Sequence, residues 1–414
     1  MSSATASGLS AACKAAPDSA RPPSIPVTPR RAAGLTAVFL ASITAPALWD
    51  TLVRPAHQWE QLANLCRSVP TPQALARFSD DLARDSKAAR AVRRYYQYLL
   101  TRGLHAGSAT VIVGADGHLF MREDLLLCTG TALFPERLPS DKSLTKGDAP
   151  DSVSSIIAYE RQVRAAGIHL LVLPVPLSPV LYPEKIWSGY PATAGPAWND
   201  DFRVWKKRLL TAGVDVVDVT EDLWKARNDP ESPWVRHNTH WAPRGAALTA
   251  HKLAERIRPW LGAYTPHPYT SRNVRWDAAS DLTRSLDLPG PDLFPPVPCT
   301  ARLVLQDGRL ATAADDAPIL LLGDSFTAEY GEAARGEIIG ADLGRQIMLE
   351  VGAPVQVITE YGLDPLNARA KLWNHVQALK QKRVIVWEFA ARHLAHPGTW
   401  AMIPFPLQAS AAAR

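Results

Sequence analysis

The sequence predicts an α/β domain in which helices cover both faces of a parallel β-sheet. Several short stretches are almost entirely apolar, such as residues 169–174 and 319–322, and they alternate with helical patterns. Strands that are buried on both faces have this composition, and strands that alternate with helices form parallel sheets. In addition, 47% of the 414 residues are hydrophobic and 21% are charged, which is ordinary for a globular protein with one large or two medium domains.

The N-terminal region predicts export. Residues 1–33 are rich in Ala, Ser and Pro, so a disordered leader is expected there. Arg30 and Arg31 precede an apolar run, and a basic cluster before such a run is typical of export signals. Residues 34–53 are therefore predicted to be a signal anchor or a signal peptide, with the remaining chain in the periplasm and anchored to the inner membrane. A buried helix of a cytosolic protein is the alternative, and it fits poorly after a basic, disordered leader.

The body of the chain divides into a helical segment and the α/β domain. Apolar residues recur at amphipathic helical spacing over residues 58–104, and the domain occupies 105–403. Two short strands about the Asp116 and Gly117 turn open the domain. Its later strands are predicted at 169–174, 214–218, 319–322, 355–359 and 384–389, with helices at 153–165, 203–211, 243–257 and 367–381, and a long helical stretch that ends near 351. Residues 261–317 are expected to be an irregular excursion because periodicity is weak there, and 404–414 a loose tail.

Charge and cysteine content limit the classes of partner. The net charge of +5 is small for this length and favours polyanions such as acidic polysaccharides. Nucleic-acid binding would need a concentrated basic patch, and none is predicted. The four cysteines form no C-x-x-C pair, so neither zinc nor redox chemistry is indicated. In an exported protein, a Cys128–Cys299 disulfide and four unpaired thiols both remain open.

Ser325 follows a buried strand directly, in the run ILLLGDSFT that begins at residue 319. Ligands of open α/β sheets bind at the carboxyl ends of the strands, and the first N–H groups of the next helix stabilise an oxyanion. This position suits a nucleophilic serine in acyl transfer. Because Ser is also a preferred helix N-cap, a purely structural Ser325 is an equal alternative from this motif alone.

His240 lies in the run HNTHWAPRG, which begins at residue 237 and precedes an amphipathic helix. A histidine in such a loop is placed to act as a base, and a serine hydroxyl needs one because its own pKa leaves it a weak nucleophile. Taken alone, however, His240 is better explained as a structural histidine packed by Trp241. A zinc site of His237 and His240 lacks a third ligand at suitable spacing.

The two motifs together resemble the SGNH-like acetyltransferase domain of the alginate O-acetylation proteins, the AlgJ and AlgX type. The shared order is H-x-T-H-W-x-P-x-G-A and then, about 85 residues later, a strand followed by G-D-S-F. The resemblance covers about residues 58–395 and extends to further elements at 113–120, 166–168, 174–176, 182–185 and 386–389, followed by Arg392. It implies an SGNH-hydrolase-like parallel sheet flanked by helices, behind an N-terminal signal or anchor.

The resemblance also implies an acyltransferase that uses no metal and no organic cofactor. In such an enzyme Ser325 carries the acetyl group, His240 is its base, and backbone donors around Ser325 hold the oxyanion. Arg369, Trp387 and Arg392 are further candidates for contacts with substrate. The acceptor is then a hydroxyl of an exported polysaccharide. The acetyl group arrives through a membrane-bound O-acyltransferase partner, because free acetyl-CoA is cytoplasmic.

Asn238 departs from the family motif, D-x-H-W, which has an acid at this position. An Asp there orients the imidazole and stabilises the imidazolium, whereas Asn supplies no negative charge. Three outcomes remain open: a slow enzyme, an enzyme in which another acid such as Asp218 compensates, and a non-catalytic polysaccharide-binding or scaffold protein. A carbohydrate acetyl esterase, which passes the acetyl group from the same serine to water, is a further alternative.

Overall fold

The structure of the chain is a computed structural model, and it describes residues 28–52, 60, 63–67, 69, 71–129, 133–134, 151–278, 280–332, 338–360, 365–395 and 400–407. Most of the leader expected at 1–33, Cys13 and the end of the expected tail lie outside the described residues. The chain divides into two units, residues 1–93 and residues 94–414.

The first helices of the chain are α1 (Pro29–Leu52), α2 (Pro72–Asp85) and α3 (Lys87–Leu104). The apolar run predicted as the export segment lies in α1, and α2 and α3 lie in the segment predicted to be helical. Within the described parts of the chain, we find no helix with both the length and the apolar character that crossing a membrane requires.

The second unit contains the strands and the remaining helices. In chain order, the strands are β1 (Val111–Val113), β2 (Leu119–Met121), β3 (His169–Val175), β4 (Asp215–Val216), β5 (Thr270–Ala278), β6 (Val297–Gln306), β7 (Arg309–Leu310), β8 (Ile319–Gly323), β9 (Val355–Thr359) and β10 (Val384–Ala390). The helices that follow α3 are α4 (Ser152–Ala165), α5 (Ser178–Leu181), α6 (Asp200–Thr211), α7 (Thr220–Ala226), α8 (Pro243–Leu261), α9 (Asp281–Leu286), α10 (Ser325–Ala328), α11 (Leu343–Val351), α12 (Pro365–Lys371) and α13 (Val376–Leu379).

A five-stranded parallel sheet forms the centre of this unit, in the order β4–β3–β10–β8–β9. On one face Trp387 of β10 packs against α4, and on the other Val357 of β9 packs against Gly344 of α11. The faces are opposite because Trp387 pairs with Leu322 and Val357 pairs with Leu321, which are successive residues of β8. The predicted fold class, a parallel sheet flanked by helices, is therefore confirmed.

The described residues between 261 and 317 form strands and a helix, which corrects the expectation of an irregular excursion. β5, β6 and β7 form an antiparallel sheet, and the short helix α9 follows β5. Most side chains of β5 are exposed: its first four residues carry no apolar side chain, and apolar and charged residues alternate only from Val274 to Ala278. This alternation is too short for hydrophobic periodicity to mark the whole strand.

One smaller expectation is also corrected, and one of the two alternatives left open for the cysteines is supported. The prediction of a long helical stretch after β8 is wrong. The helix α10 is one turn long and α11 begins at Leu343. Between them, Tyr330 and Gly340 have φ angles of 63° and 106°, which an α-helix does not accommodate. Cys128 and Cys299 are not joined by a disulfide. Cys128 packs against the main hydrophobic core, whereas Cys299 of β6 packs against a separate small cluster.

Candidate active site

Ser325 lies at the carboxyl end of β8, in the turn from the strand into α10. The residue that caps this helix is Asp324, whose Oδ1 accepts the backbone N–H of Phe326 at 2.9 Å. The Ser325 side chain therefore does not serve as the N-cap, so the alternative in which Ser325 only caps the helix is not supported.

Asp324 ties the serine turn to the end of β10. Its Oδ2 accepts the backbone N–H of Ala390 at 2.8 Å and lies 3.3 Å from Nε2 of His393. Burial on its own would raise the pKa of Asp324. Hydrogen bonding and electrostatic interaction with His393, together with the two backbone donors, outweigh burial and hold that pKa below its usual range. Asp324 is therefore ionised at neutral pH.

Glu388 of β10 stabilises the serine turn through two hydrogen bonds. Its Oε2 accepts the backbone N–H of Asp324 at 3.1 Å and the hydroxyl of Thr327 at 2.7 Å. Burial and the charge of Asp324 raise the pKa of Glu388 well above its usual range. Position 323 requires glycine, because a Cβ there would collide with Thr327 Oγ1 and Glu388 Oε2.

Aromatic packing fastens the His240 loop to the serine turn. The ring centroid of Phe326 lies 4.9 Å from that of His240 and 5.3 Å from that of Trp241. The hydroxyl of Tyr330 donates to the backbone carbonyl of Trp241 at 2.6 Å. Phe326 and Trp241, which directly follow Ser325 and His240, therefore hold the two sequence motifs together in space.

The structure brings Ser325, His240 and Asn238 together in one row. Nε2 of His240 lies 2.9 Å from Oγ of Ser325, and Nδ1 lies 3.2 Å from Oδ1 of Asn238. The same Oδ1 accepts the backbone N–H of His240 at 3.0 Å. Because a backbone N–H only donates, the amide oxygen and not the NH₂ group must face the ring. Nδ1 then carries the hydrogen, and Nε2 is left to accept the proton of Ser325.

Two carboxylates that the sequence analysis did not identify lie near the same ring nitrogen. Nδ1 of His240 is 3.7 Å from Oδ2 of Asp281 and 3.9 Å from Oε2 of Glu329. Asp281 belongs to the stretch that was expected to be irregular, and no motif or periodicity marks it. Glu329 is four residues after Ser325. Helical spacing from the serine could have drawn attention to Glu329, because residues four apart share one helix face.

A cavity of about 390 Å³ opens beside the Ser325 and His240 pair. Its volume lies within the range of small-molecule sites. Arg392 lines this cavity, as predicted for a residue of the cleft. Its Nε lies 3.3 Å from Oδ1 of Asp124, and its Nη1 donates to Sδ of Met121 at 2.9 Å, so the guanidinium is held at the wall.

The other two predicted cleft residues, Arg369 and Trp387, do not line the cavity, and that prediction is wrong. Both are buried, with the guanidinium carbon of Arg369 4.5 Å from the indole centroid of Trp387. Side chains alternate between the two faces of a strand, so Trp387 points away from the serine turn while its neighbour Glu388 points toward it. That alternation is the signal by which Glu388 could have been found.

Asp218, considered as a substitute acid for Asn238, does not take that role. Its Oδ2 accepts a hydrogen bond from Nζ of Lys206 at 2.6 Å, and its Oδ1 accepts the backbone N–H of Thr220 at 3.0 Å. Because Asp218 lies just after β4, its hydrogen bonds connect the start of α7 to α6. The acids that do lie beside His240 are Asp281 and Glu329.

We expect the reactivity of Ser325 to persist below pH 6.5. Burial lowers the pKa of His240 from its ordinary 6.5, and the charge of Asp281 only partly opposes this effect. His240 accepts a proton only when it is neutral, so reactivity falls as the pH falls through this lowered pKa. The rate at which a fluorophosphonate probe labels Ser325 should therefore decline with a midpoint below pH 6.5. A decline with its midpoint at or above the ordinary pKa would contradict the prediction.

Comparison with known proteins identifies a matching family over most of the second unit. A family model described as the SGNH hydrolase-like domain of the acetyltransferase AlgX matches residues 111–391. This range begins at β1 and ends just after β10, and it contains Asn238, His240, Asp281 and Ser325.

Individual relatives are similar over about the same length. The chain is 26% identical over 308 residues to the probable alginate O-acetylase AlgJ of Pseudomonas aeruginosa, with 70% of this chain and 72% of that protein covered. It is 26% identical over 301 residues to the protein of the same name from Azotobacter vinelandii, with 70% of each covered. The solved O-acetyltransferase domain of Pseudomonas putida AlgJ has a TM-score of 0.51 at 22% identity, covering 69% of this chain and 92% of that one. The last comparison supports the fold.

Proposed function

This chain belongs to the family of SGNH hydrolase-like domains of the acetyltransferase AlgX, and on that premise we propose that it transfers acetyl groups to hydroxyls of an exported polysaccharide through an acetyl-Ser325 intermediate. The observation that carries the proposal is the 2.9 Å hydrogen bond between Ser325 and His240 beside an open cavity. The curated relatives are probable alginate O-acetylases, which favours an acidic polysaccharide as the acceptor.

In the first half of the reaction, Oγ of Ser325 attacks the carbonyl carbon of the acetyl donor and gives its proton to Nε2 of His240. The oxyanion that forms is held by the backbone N–H of Ser325, since the next N–H, that of Phe326, is occupied by the Asp324 side chain. The bond to the leaving group then breaks, and His240 returns its proton to that group. Ser325 is left as an acetyl ester.

In the second half, a sugar hydroxyl takes the place of the leaving group. His240 removes the proton of that hydroxyl while its oxygen attacks the acetyl carbon of the ester. The bond between that carbon and Oγ breaks, and His240 returns the proton to Ser325. We propose that Arg392 contacts the acceptor from the cavity wall, where its positive charge suits a carboxylated sugar. The acetyl donor is supplied by a membrane-bound O-acyltransferase, because free acetyl-CoA is cytoplasmic.

The test is acetyl transfer from 4-nitrophenyl acetate to an oligosaccharide of uronic acids by the full-length chain. We expect mass spectrometry to find one acetyl group on the peptide that contains Ser325 and further acetyl groups on the sugar. Release of acetate at one rate with and without the sugar, and no acetylated sugar, would instead indicate an esterase. Complete absence of acetyl-Ser325 would leave a non-catalytic binding protein and contradict the proposal.

We further propose that the chain beyond residue 53 lies in the periplasm and is anchored to the inner membrane through residues 34–53. The support is the position of Arg30 and Arg31 before the apolar run. A reporter enzyme that works only in the cytoplasm is expected to be inactive when it is fused after residue 60. The same reporter fused after residue 28, before the apolar run, is the matched control and should be active. High activity of the fusion at residue 60 would contradict export.

A further inference from the structure

The proposed reaction places a positive charge on a largely buried ring, and Asn238 cannot neutralise it. When His240 accepts the proton of Ser325 it becomes an imidazolium, whose side chain is only 16% exposed. A buried charge without an opposite charge nearby is costly. In a serine protease, replacing the acid behind the histidine by Asn lowers turnover about 10⁴-fold. Asn238 orients the ring through its amide oxygen, so what this site lacks at position 238 is charge and not geometry.

We propose that Asp281 supplies the missing negative charge and acts, through Thr239, as the positioning residue for His240. This inference rests on the proposed acyl transfer at Ser325. The carboxylate oxygen Oδ2 of Asp281 lies 3.7 Å from Nδ1 of His240, too far for a direct hydrogen bond but close for two opposite charges in a partly buried site. Thr239 Oγ1, at 3.2 Å from the same nitrogen, stands beside both groups.

The carboxylate of Asp281 is held in this position from two directions. Thr239 donates its backbone N–H to Oδ1 at 2.9 Å and its hydroxyl to Oδ2. The preceding residue, Ser280, caps α9 by accepting the N–H of Thr283 at 3.0 Å, and its hydroxyl also donates to the backbone carbonyl of His237. Hydrogen bonds from Thr239 and from Ser280 thus join the start of α9 to the His240 loop. The acid cannot turn away without breaking these hydrogen bonds.

Among the residues that the structure describes, four charged groups lie near His240, and they differ in how they affect the stability of the imidazolium. Glu329, at 3.9 Å from Nδ1, is the other acid near the ring. Asp324 is already engaged by two backbone N–H groups and His393, and Arg392 carries a positive charge that opposes protonation. Among these groups, the charge of Asp281 acts most strongly to raise the pKa of His240 against the effect of burial. Asp281 is therefore the acid whose removal should matter most.

The test compares Asp281→Asn, Asn238→Asp and the double variant, in which the two residue types are exchanged. Asn at position 281 still accepts the backbone N–H of Thr239 but carries no charge. With 4-nitrophenyl acetate as the probe, we expect Asp281→Asn to lower kcat about 10²- to 10³-fold, with KM unchanged. The acidic limb of the pH profile should move to lower pH, because loss of a neighbouring negative charge lowers the pKa of a histidine. In the double variant, most of the rate should return and the limb should move back.

Asp287→Asn is the matched control, because Asp287 ends the same helix but pairs with Arg94 on the surface. If Asp281→Asn has the same rate and pH profile as this control, the inference is overturned. It is also overturned if the acidic limb of the pH profile shifts in Glu329→Gln but not in Asp281→Asn. A loss of rate in Asp281→Asn without a shift of the limb and without recovery in the double variant would show a merely structural role.

The single variant Asn238→Asp tests the same inference without altering Asp281. If Asp281 already supplies the charge, kcat should rise less than about tenfold, whereas a rise toward 10⁴-fold would show that the charge is missing in the native protein and overturn the inference. Ser325→Ala separates this inference from the proposed function. If acetyl transfer survives Ser325→Ala, the proposed function fails. If Ser325 is essential and Asp281→Asn behaves like Asp287→Asn, only the role of Asp281 fails.

Discussion

Replacing Ser325 by alanine is expected to lower the rate of acetyl transfer about 10⁶-fold, because the variant lacks the oxygen that forms the acyl bond. In a serine hydrolase with the same pairing, loss of either the nucleophile or the base costs about this much. The small rate that remains comes from the oxyanion donors and from binding. The measurement is transfer from 4-nitrophenyl acetate to the uronic-acid oligosaccharide, together with the mass of the peptide that carries position 325.

Two further variants make this result specific. Because Ser325 and His240 act as one unit, the double variant Ser325→Ala/His240→Ala should be no slower than Ser325→Ala. Ser271→Ala is the matched control: Ser271 is exposed on β5 and is not among the residues that line the cavity. Its rate should stay within a few-fold of the native rate. A rate for Ser325→Ala above about 1% of the native rate would show that another group carries the acetyl.

The central sheet and the Ser325–His240 pair could be predicted from the sequence because local features mark them. Strands buried on both faces are nearly continuous apolar runs, and β3 and β8 appear as such, while β9 and β10 are each interrupted by one polar residue, Gln356 and Glu388. Ser325 directly follows β8, and His240 lies in the loop before α8. Each motif also brings its own packing residue, Phe326 or Trp241, and these aromatic rings meet. Each motif alone left a structural alternative open, and the resemblance to the acetyltransferase family is what paired Ser325 with His240.

Asp281 could not be predicted, and the reason is physical. The antiparallel sheet that precedes it exposes most of β5, so apolar and charged residues alternate only over the last residues of that strand, from Val274 to Ala278. The acid reaches His240 only through tertiary hydrogen bonds, from Thr239 to Asp281 and from Ser280 to His237. Such contacts leave no pattern in either segment taken alone. Asp218 is nearer than Asp281 to Asn238 in the chain, and only the fold brings α9 and its Asp281 to His240.

Trp387 illustrates the opposite error, in which a resemblance identifies a strand but not the face on which each side chain lies. Replacing Trp387 by alanine is expected to lower the free energy of unfolding by about 3–5 kcal/mol, the usual cost of removing a fully buried Trp. The indole packs against Tyr159, Phe389 and Trp400, with ring centroids 5.3, 5.7 and 6.0 Å away, and Arg369 lies over its face. Equilibrium unfolding in urea, followed by Trp fluorescence and circular dichroism, measures the change.

Trp373→Ala is the matched control, since Trp373 is 44% exposed and its loss should change the free energy of unfolding by no more than about 0.5 kcal/mol. The kinetics of the folded Trp387→Ala variant decide between a core residue and a residue that binds sugar. A core residue on the face opposite the serine turn should leave KM for the oligosaccharide near its native value. An indole that stacked on the sugar would behave differently: its loss would raise KM strongly while the protein kept its stability. That second outcome would indicate that Trp387 contacts the sugar in the cleft. It is excluded if the free energy of unfolding falls as expected while KM for the oligosaccharide does not change.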